Sequence, residues 1–238
     1  MATTFITLVN DTLRRLNEVE LTSTDFPTAS GFRAQVKDSV NASLQEISQK
    51  EFEFPFNYTS ASLTLSAGTA EYSLATDFKV ADWDSFRIAK DDSISADARL
   101  LRLINYDTFI ARFYERDGNA TSSDYANPVY IYRTLSNKAG FSPIPDKAYT
   151  VNYNYFAFAS DLVNDTDTMS VPDQFKHVVI DGALYHTYMF RDNAQQAAIT
   201  KQKFEEGIER MRTLLINRFT DIRDTRVGRL IAVPHGSF

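Results

Sequence analysis

Apolar residues recur every three or four positions early in the chain, which is the spacing of an amphipathic helix. The pattern runs first over residues 4–18, with Thr3 or Thr4 available as a cap. After the turn-rich stretch "TSTDFPTASG" it returns from about Gly31 to Glu51. Two helices are therefore predicted here. Their apolar faces are Phe5, Leu8, Val9, Leu13 and Leu16 in the first, and Phe32, Val36, Val40, Leu44 and Ile47 in the second.

Helical spacing returns late in the chain, at "SVPDQFKHVVIDGALYHTYMF", where Pro172 suits a first helical position. A longer helix is predicted after "RDN", extending to about Thr220 with "KQKFEEGIER" as its charged outer face. Gly182 within a helix costs up to about 1 kcal/mol relative to alanine, so we expect a close helix crossing there. The predicted inward faces are Phe175, Val178, Val179, Gly182, Tyr185 and Met189, then Ala194, Ala198, Phe204, Ile208, Met211 and Leu215.

Between these helix pairs the pattern changes to short segments rich in aromatic and β-branched residues, separated by Gly, Pro, Asn or Asp. These segments predict a strand-rich region of about 110 residues, arranged as a sheet or a small sandwich. Within it, "YDTFIARFYERD" has helical spacing after a capping Asn105 or Asp107, so one short helix is expected. The stretch "LTLSAGTAEYSLATDF" reads as two short strands about a glycine turn, in the manner of a hairpin.

The order of elements predicts an α+β fold, in which terminal helix pairs pack together as a helical bundle with an inserted antiparallel β domain. The predicted divisions are an N-terminal helix pair (1–53), a β-rich insertion (54–169), a C-terminal helix pair (170–222) and an extended C-terminal arm (223–238). The arm contains Gly228, Pro234 and Gly236, which do not favour a further helix.

Composition removes several kinds of chemistry. The chain has 238 residues and no cysteine, which excludes disulfides, thiolate zinc sites and cysteine nucleophiles. No apolar run approaches the roughly 20 residues that span a bilayer, and the first residues lack the pattern of a secretory signal. We therefore expect no membrane association and no secretion by that route.

Charge is unevenly distributed along the chain. The net charge is −6, which argues against a general polyanion-binding surface. From Arg210 onward there are six arginines and two aspartates, a balance of +4, so residues 1–209 carry −10. The basic residues are therefore concentrated in the last helix and the arm.

No catalytic motif stands out. His177 and Asp181 are four residues apart and can touch, but His186 lies on the opposite side of the same predicted helix, so the three cannot bind one metal. "DDSISADA" lacks the glycine and the final glutamate of a calcium loop, and the eight glycines form no phosphate-binding loop. No GxSxG motif is present either. The sequence predicts a protein without catalytic activity or cofactors.

Tyrosines alternate along the last strand of the β region. Tyr149, Val151, Tyr153 and Tyr155 should share one face of that strand. Such a stripe can form a stacking platform for sugars or bases, but packing in a sheet core or between subunits is the favoured interpretation.

The succession of segments resembles the head-to-tail adaptor proteins of tailed bacteriophages, which include portal adaptors and tail tubular gatekeepers. The resemblance spans nearly the whole chain and rests on the order of several stretches together. These are "FITLVNDTLRRLNEVELTS", "QVKDSVNASLQEISQKEFEFPFN", "LTLSAGTAEYSLATDF", "NPVYIYR" leading into "FSPIPDKAYTVNYNYFAFASDLVNDTDTMSVPDQF", and the closing helix pair. By this resemblance the glycine turn and "EYSL" begin the adaptor β domain, and "SPIP" to "NYNYF" forms its central hairpin.

The resemblance implies a structural connector of the virion, assembled in the host cytoplasm. About a dozen copies, a dodecamer, would form a ring that binds the phage portal protein and a downstream tail or nozzle protein. Genomic DNA would pass through the lumen without sequence-specific binding. A ring of identical subunits needs two different patches on each subunit.

The arm is the predicted partner-binding segment. It interleaves arginines with apolar residues, whereas disordered tails are poor in apolar residues. Arginine suits bidentate pairing with carboxylates, and the apolar side chains offer buried anchors. The residues predicted to bind are Arg223, Arg226, Arg229, Leu230, Ile231, Val233, Pro234 and Phe238. Whether the arm reaches the portal or a neighbouring adaptor is left open, and a frayed terminus is the alternative.

Two other functions were weighed against the connector. One is a carbohydrate-binding β domain of a tail-fibre or surface protein, using Trp83 and the tyrosines as sugar platforms. The other is an enzyme whose active site is completed at a subunit boundary, an alternative that no sequence motif supports.

Overall fold

A computed structural model describes residues 3–51, 53–90 and 99–216. Within these ranges the helices are α1 (Phe5–Arg15), α2 (Phe32–Lys50), α3 (Tyr106–Arg112), α4 (Tyr114–Gly118), α5 (Lys176–Phe190) and α6 (Ala194–Leu215). The strands are β1 (Tyr58–Leu65), β2 (Glu71–Tyr72), β3 (Phe78–Ile88), β4 (Arg99–Leu100), β5 (Arg102–Leu103), β6 (Tyr130–Arg133), β7 (Ala139–Ser142) and β8 (Tyr149–Ala157). The predicted α+β fold class is confirmed. The predicted end of α6 at Thr220 and the arm lie outside the described residues.

Helices α1, α2, α5 and α6 enclose one hydrophobic core, as predicted from their apolar stripes. Leu13, Val40, Leu44, Val179 and Ile208 are all buried in it. Terminal segments far apart in the chain therefore form one packed unit.

Gly182 lies where three helices meet. A Cβ atom placed on it would collide with Ser43 Oγ of α2 and would lie 2.7 Å from the Phe204 ring of α6. A Cβ atom placed on Gly207 of α6 would lie 2.8 Å from the Val178 side chain of α5. The predicted close crossing is confirmed, and it explains why a residue with poor helix propensity occupies a helix interior.

Two predicted inward-facing sets are wrong in part. Ala194 and Ala198 of α6 are exposed, and Ala197 and Thr200 are buried instead. Met189, at the end of α5, has 55% of its surface exposed. The buried stripe of α6 therefore begins one position away from the predicted one, because three nearby alanines carry no strong hydrophobic signal.

The β region consists of two four-stranded sheets around a second core. Strand order is β1-β8-β3-β4 in the first sheet and β2-β7-β6-β5 in the second. Pairs are antiparallel except for β5 with β6, which is parallel, so the expected antiparallel domain is mixed at that pair. Both sheets contribute buried residues to one cluster, for example Val151 from the first and Phe141 from the second. Of the two predicted arrangements, a sheet or a small sandwich, the small sandwich is the one observed.

The hairpin interpretation of "LTLSAGTAEYSLATDF" is wrong. Gly68 does occupy a turn, with φ of +79°. However, β1 before it pairs with β8, and β2 after it pairs with β7 of the other sheet. The prediction of a central hairpin is also wrong, because β7 belongs to the second sheet and β8 to the first. Both turns carry the chain from one sheet to the other.

The short helix predicted near residue 106 is present, and Asn105 caps α3 by accepting the N–H of Thr108 at 2.9 Å. A further short helix, α4, follows directly. No helix within the described ranges is long and apolar enough to cross a membrane.

The chain returning from the sheets is attached to the helices by backbone hydrogen bonds. Phe5 donates its N–H to the Asp167 carbonyl at 2.7 Å, and Asn41 of α2 exchanges two hydrogen bonds with the backbone of Leu162. On the other side of the junction, Lys79 of β3 donates to the carbonyl of Ser48 in α2, and burial lowers the pKa of Lys79. These contacts connect the helical bundle to the sheets.

Candidate interaction surfaces

The histidines and the aspartate singled out from the sequence are not brought together. His177 is exposed, and Asp181 pairs with Arg15 of α1 at 2.8 Å. His186 faces α2, with Nε2 3.3 Å from Glu46 Oε2. The described residues also contain no group of three or more His, Asp or Glu arranged to hold a metal ion. Asp181 and His186 thus connect neighbouring helices.

A charged groove of about 640 Å³ lies between the end of α2 and the second half of α6. Lys50 lies 3.2 Å from Glu46 and 3.5 Å from Glu205, and Arg212 pairs with Glu51 at 3.0 Å. The Glu51 side chain is only 12% exposed, so this pair is better shielded from water than the others. The ion pairs attach the end of α6 to the end of α2.

The tyrosine stripe of β8 belongs to the core. Tyr149, Tyr153 and Tyr155 are at most 6% exposed. Trp83 stacks on Phe86, and Phe86 stacks on Tyr153 with ring centroids 4.7 Å apart. Burial, together with a hydrogen bond to Asp77, raises the pKa of Tyr155 to about 12. The favoured packing interpretation is confirmed, and these tyrosines offer no sugar platform.

One exposed apolar patch lies at the end of the helical bundle, and we call it the bundle-end patch. It comprises Met189, Phe190 and the half-buried Phe32, of which Phe190 has 59% of its surface exposed. The Phe32 and Phe190 rings are 6.5 Å apart, and the Arg191 guanidinium lies 3.9 Å from the Phe32 ring centroid. Met189 was predicted from its spacing to face the core, so this patch was not predicted from the sequence.

More exposed apolar side chains lie along the segment from β4 to α4. Leu100, Leu103, Ile110 and Tyr114 are all more than 40% exposed. Phe109 of the same segment is buried and stacks on Tyr132 of β6 at 3.8 Å. The segment is therefore fixed to the second sheet by the pairing of β5 with β6 and by this ring contact, and it leaves the four exposed side chains on the surface.

Strand β1 forms one edge of the first sheet. All eight of its residues pair with β8 without a bulge, from Tyr58 opposite Phe156 to Leu65 opposite Tyr149. Its core-facing Ala61 and Leu63 are only partly buried. The sequence predicted this strand, but not its position at an edge.

Comparison with known proteins decides the family. The model of the SU10 adaptor protein family matches residues 3–230, nearly the entire chain. The chain belongs to the SU10 adaptor protein family. A search of curated proteins gives no significant match. The adaptor is thus a structural phage protein of the head-to-tail junction, which implies a place in the virion and assembly with other head and tail proteins. Adaptors of this kind are not normally enzymes.

The adaptor's predicted partner-binding residues all lie outside the described part of the chain. The family match includes the first four, Arg223, Arg226, Arg229 and Leu230. The remaining four are Ile231, Val233, Pro234 and Phe238. Their role in binding stays a prediction.

Proposed function

We propose that the adaptor is a structural connector whose copies form a ring that joins the portal to the tail and extends the DNA channel. Membership in the SU10 adaptor family over residues 3–230 carries this proposal. The fold supports it, because the candidate chemical groups serve as packing and ion pairs. Function then resides in surfaces, which is the expectation for a connector.

A ring of about a dozen copies requires two different complementary surfaces on each subunit. The adaptor offers several apolar surfaces for this purpose. The bundle-end patch lies on the helices, and Leu100, Leu103 and Ile110 lie beside the sheets. Exposed apolar residues in groups are typical of protein interfaces. They are available to neighbouring adaptors, the portal and a downstream tail or nozzle protein.

The arm is the second part of the proposal. Its arginines pair with partner carboxylates, and its apolar residues provide anchors that become buried on assembly. Pro234 limits the entropy lost when the arm is ordered. Because such an arm contributes little to the free subunit, it should matter for assembly and not for folding.

Deleting residues 224–238 tests this division of roles. The truncated adaptor should melt within about 2 °C of the full chain, since a ΔΔG of 1 kcal/mol shifts the melting temperature of a protein this size by about that much. It should fail to form rings and fail to co-sediment with portal particles. A matched control replaces Arg223, Arg226 and Arg229 by lysine, which keeps the charge but removes bidentate pairing. Full assembly of the truncated adaptor would refute the role of the arm.

The carbohydrate-binding alternative loses its main support, because the tyrosines of β8 are buried. A composite active site at a subunit boundary has no supporting observation among the described residues. We therefore retain the connector alone.

A further inference from the structure

The outer edge of β1 is open to pairing. β1 is the terminal strand in the order β1-β8-β3-β4, and no described strand pairs with its other side. Edge strands present unpaired N–H and C=O groups that other chains can bind, and proteins protect them with charges, prolines or bulges. The segment "YTSASLTL" has no charge and no proline, and its register with β8 is unbroken. This edge lacks the usual protection.

Hydrogen bonds within the sheet identify the backbone groups that point outward. Asn154 of β8 donates its N–H to Ser85 Oγ of β3, and the Thr150 carbonyl accepts from Ala89. Both β8 residues thus direct their backbone groups away from β1. Directly opposite residues in an antiparallel pair either exchange both bonds or neither. Ser60 and Thr64, opposite Asn154 and Thr150, therefore point their N–H and C=O groups to the open edge. Because backbone groups alternate in direction along a strand, those of Tyr58 and Ser62 also point to the open edge.

The core beneath this edge is incompletely covered. Ala61 and Leu63 face the second core but remain partly exposed, whereas Leu65 is fully buried. A strand added beside β1 would cover these two side chains and pair four residues' backbone groups. Both gains require an extended segment with apolar side chains.

The C-terminal arm supplies such a segment. Leu230 to Val233 are four consecutive apolar residues that include β-branched Ile231 and Val233. The residue before a proline favours extended backbone, and Pro234 itself has no N–H to continue a ladder. The sequence of this segment therefore suits a short strand that would end at Pro234.

Chain length allows the arm to reach the β1 edge of a neighbouring subunit. Arg212, near the end of α6, pairs with Glu51 at the end of α2, seven residues before β1 begins at Tyr58. β1 has eight residues and spans about 26 Å at roughly 3.3 Å per residue. Leu230 is 14 residues beyond Ile216, an extended span of about 46 Å.

We propose that residues 229–233 of one adaptor add as a strand to the open edge of β1 in the next adaptor of the ring. The inference rests on the ring-forming function proposed above. It assigns the two complementary patches of a head-to-tail contact: the arm on one side and the edge of β1 on the other. A symmetric β1–β1 contact would give only a closed pair.

The absence of cysteine allows a direct test by disulfide trapping. Full-length adaptor with Ala61→Cys is mixed with adaptor carrying one cysteine at position 230, 231, 232 or 233, assembled on portal particles and oxidised. Paired strands place opposite Cα atoms about 4.5–5.5 Å apart, within disulfide range, and alternate their side chains. Cross-linked dimers should therefore form strongly at the one position opposite residue 61, weakly two residues from it, and least at its immediate neighbours, whose side chains lie on the other face. Leu135→Cys, at an 88% exposed site in the turn between β6 and β7, is the control and should give none.

Three results would overturn the proposal: no dimer at any position, equal yields at all four positions, or cross-linking within one chain when both cysteines are on the same adaptor. If rings form without the alternating pattern, the proposed function stands and this inference fails. If no ring forms with the portal, both fail.

A second pair of variants tests the backbone itself. Ser62→Pro removes an outward N–H and leaves the bonds between β1 and β8 in place, whereas Ser62→Ala leaves every backbone group intact. Ser62→Pro should lose most of the cross-linking while its monomer melts near the temperature of Ser62→Ala. Equal cross-linking by the two variants would contradict strand addition.

Discussion

Replacing Gly182 by alanine tests the packing of the helical bundle at its most crowded point. Alanine gains about 1 kcal/mol of helix propensity over glycine. Against this, its Cβ would collide with Ser43 Oγ and lie 2.7 and 2.9 Å from two atoms of the fully buried Phe204 ring. Ser43 must rotate and give up its hydrogen bond to the Val179 carbonyl, which costs about 0.5–1.5 kcal/mol. Displacing the ring adds about 1–3 kcal/mol of overpacking.

The net expectation is a loss of about 1–3 kcal/mol in the free energy of unfolding, measured by urea titration of the monomer with circular dichroism. Gly118→Ala is the matched control, because nothing lies within 4 Å of its Cβ position. That variant should be neutral or slightly stabilising. Adding Ser43→Ala should reduce the cost of Gly182→Ala, giving a measurable coupling between the two sites. If Gly182→Ala is as stable as Gly118→Ala, the helices do not cross as closely as described.

Three further predictions concern the core, acid stability and the channel. Leu44→Ala should destabilise by about 2–5 kcal/mol because Leu44 is only 3% exposed, and an unchanged melting temperature would count against the packing. The Asp167 carboxylate accepts hydrogen bonds from the backbone N–H groups of Asn164 and Val163, which lowers the pKa of Asp167 below the ordinary 3.8. The ionised carboxylate therefore stabilises the folded protein above pH 3.8, and this stabilisation is lost as the pH falls through the lowered pKa. Asp167→Asn should lower the urea midpoint at pH 7 and flatten the decline below about pH 4; an unchanged decline would contradict this. The lumen of the ring should be acidic or neutral, since residues 1–209 carry −10, and a continuous Arg/Lys belt facing the axis in an electron microscopy map would be evidence against it.

Local periodicity was sufficient to predict the helices because their apolar faces are buried with the period of the helix itself. Val40 and Leu44 of α2 needed only their spacing to be placed in the core. The same reasoning failed at Ala194 and Ala198, where alanine is too small to mark a face. It also failed at Met189, because helix ends can leave an apolar face uncovered.

Strand partners were beyond local reasoning. Alternation predicted correctly that Tyr153 and Tyr155 share a face, but the pairing of β1 with β8 joins residues far apart in the chain. A glycine turn such as that at Gly68 suggests a hairpin, yet nothing local indicates that the chain changes sheets there. The open edge of β1 likewise follows from strand order, which only the tertiary structure shows.

The ion pairs and surfaces depend on tertiary contacts in the same way. Glu51 and Arg212 meet only because α2 and α6 pack side by side. Charged residues with many possible partners carry no signal of which one they contact. The assignment to a phage adaptor came from the order of segments along the chain, and the family match confirms it.

The central claim is that this adaptor forms a ring on the portal. Mass photometry and electron microscopy of the full-length adaptor, with and without portal particles, test it most directly. We expect a ring of about a dozen adaptors bound to the portal, with its channel continuous with that of the portal. An adaptor that stays monomeric and unbound at micromolar concentrations of both proteins would contradict the account.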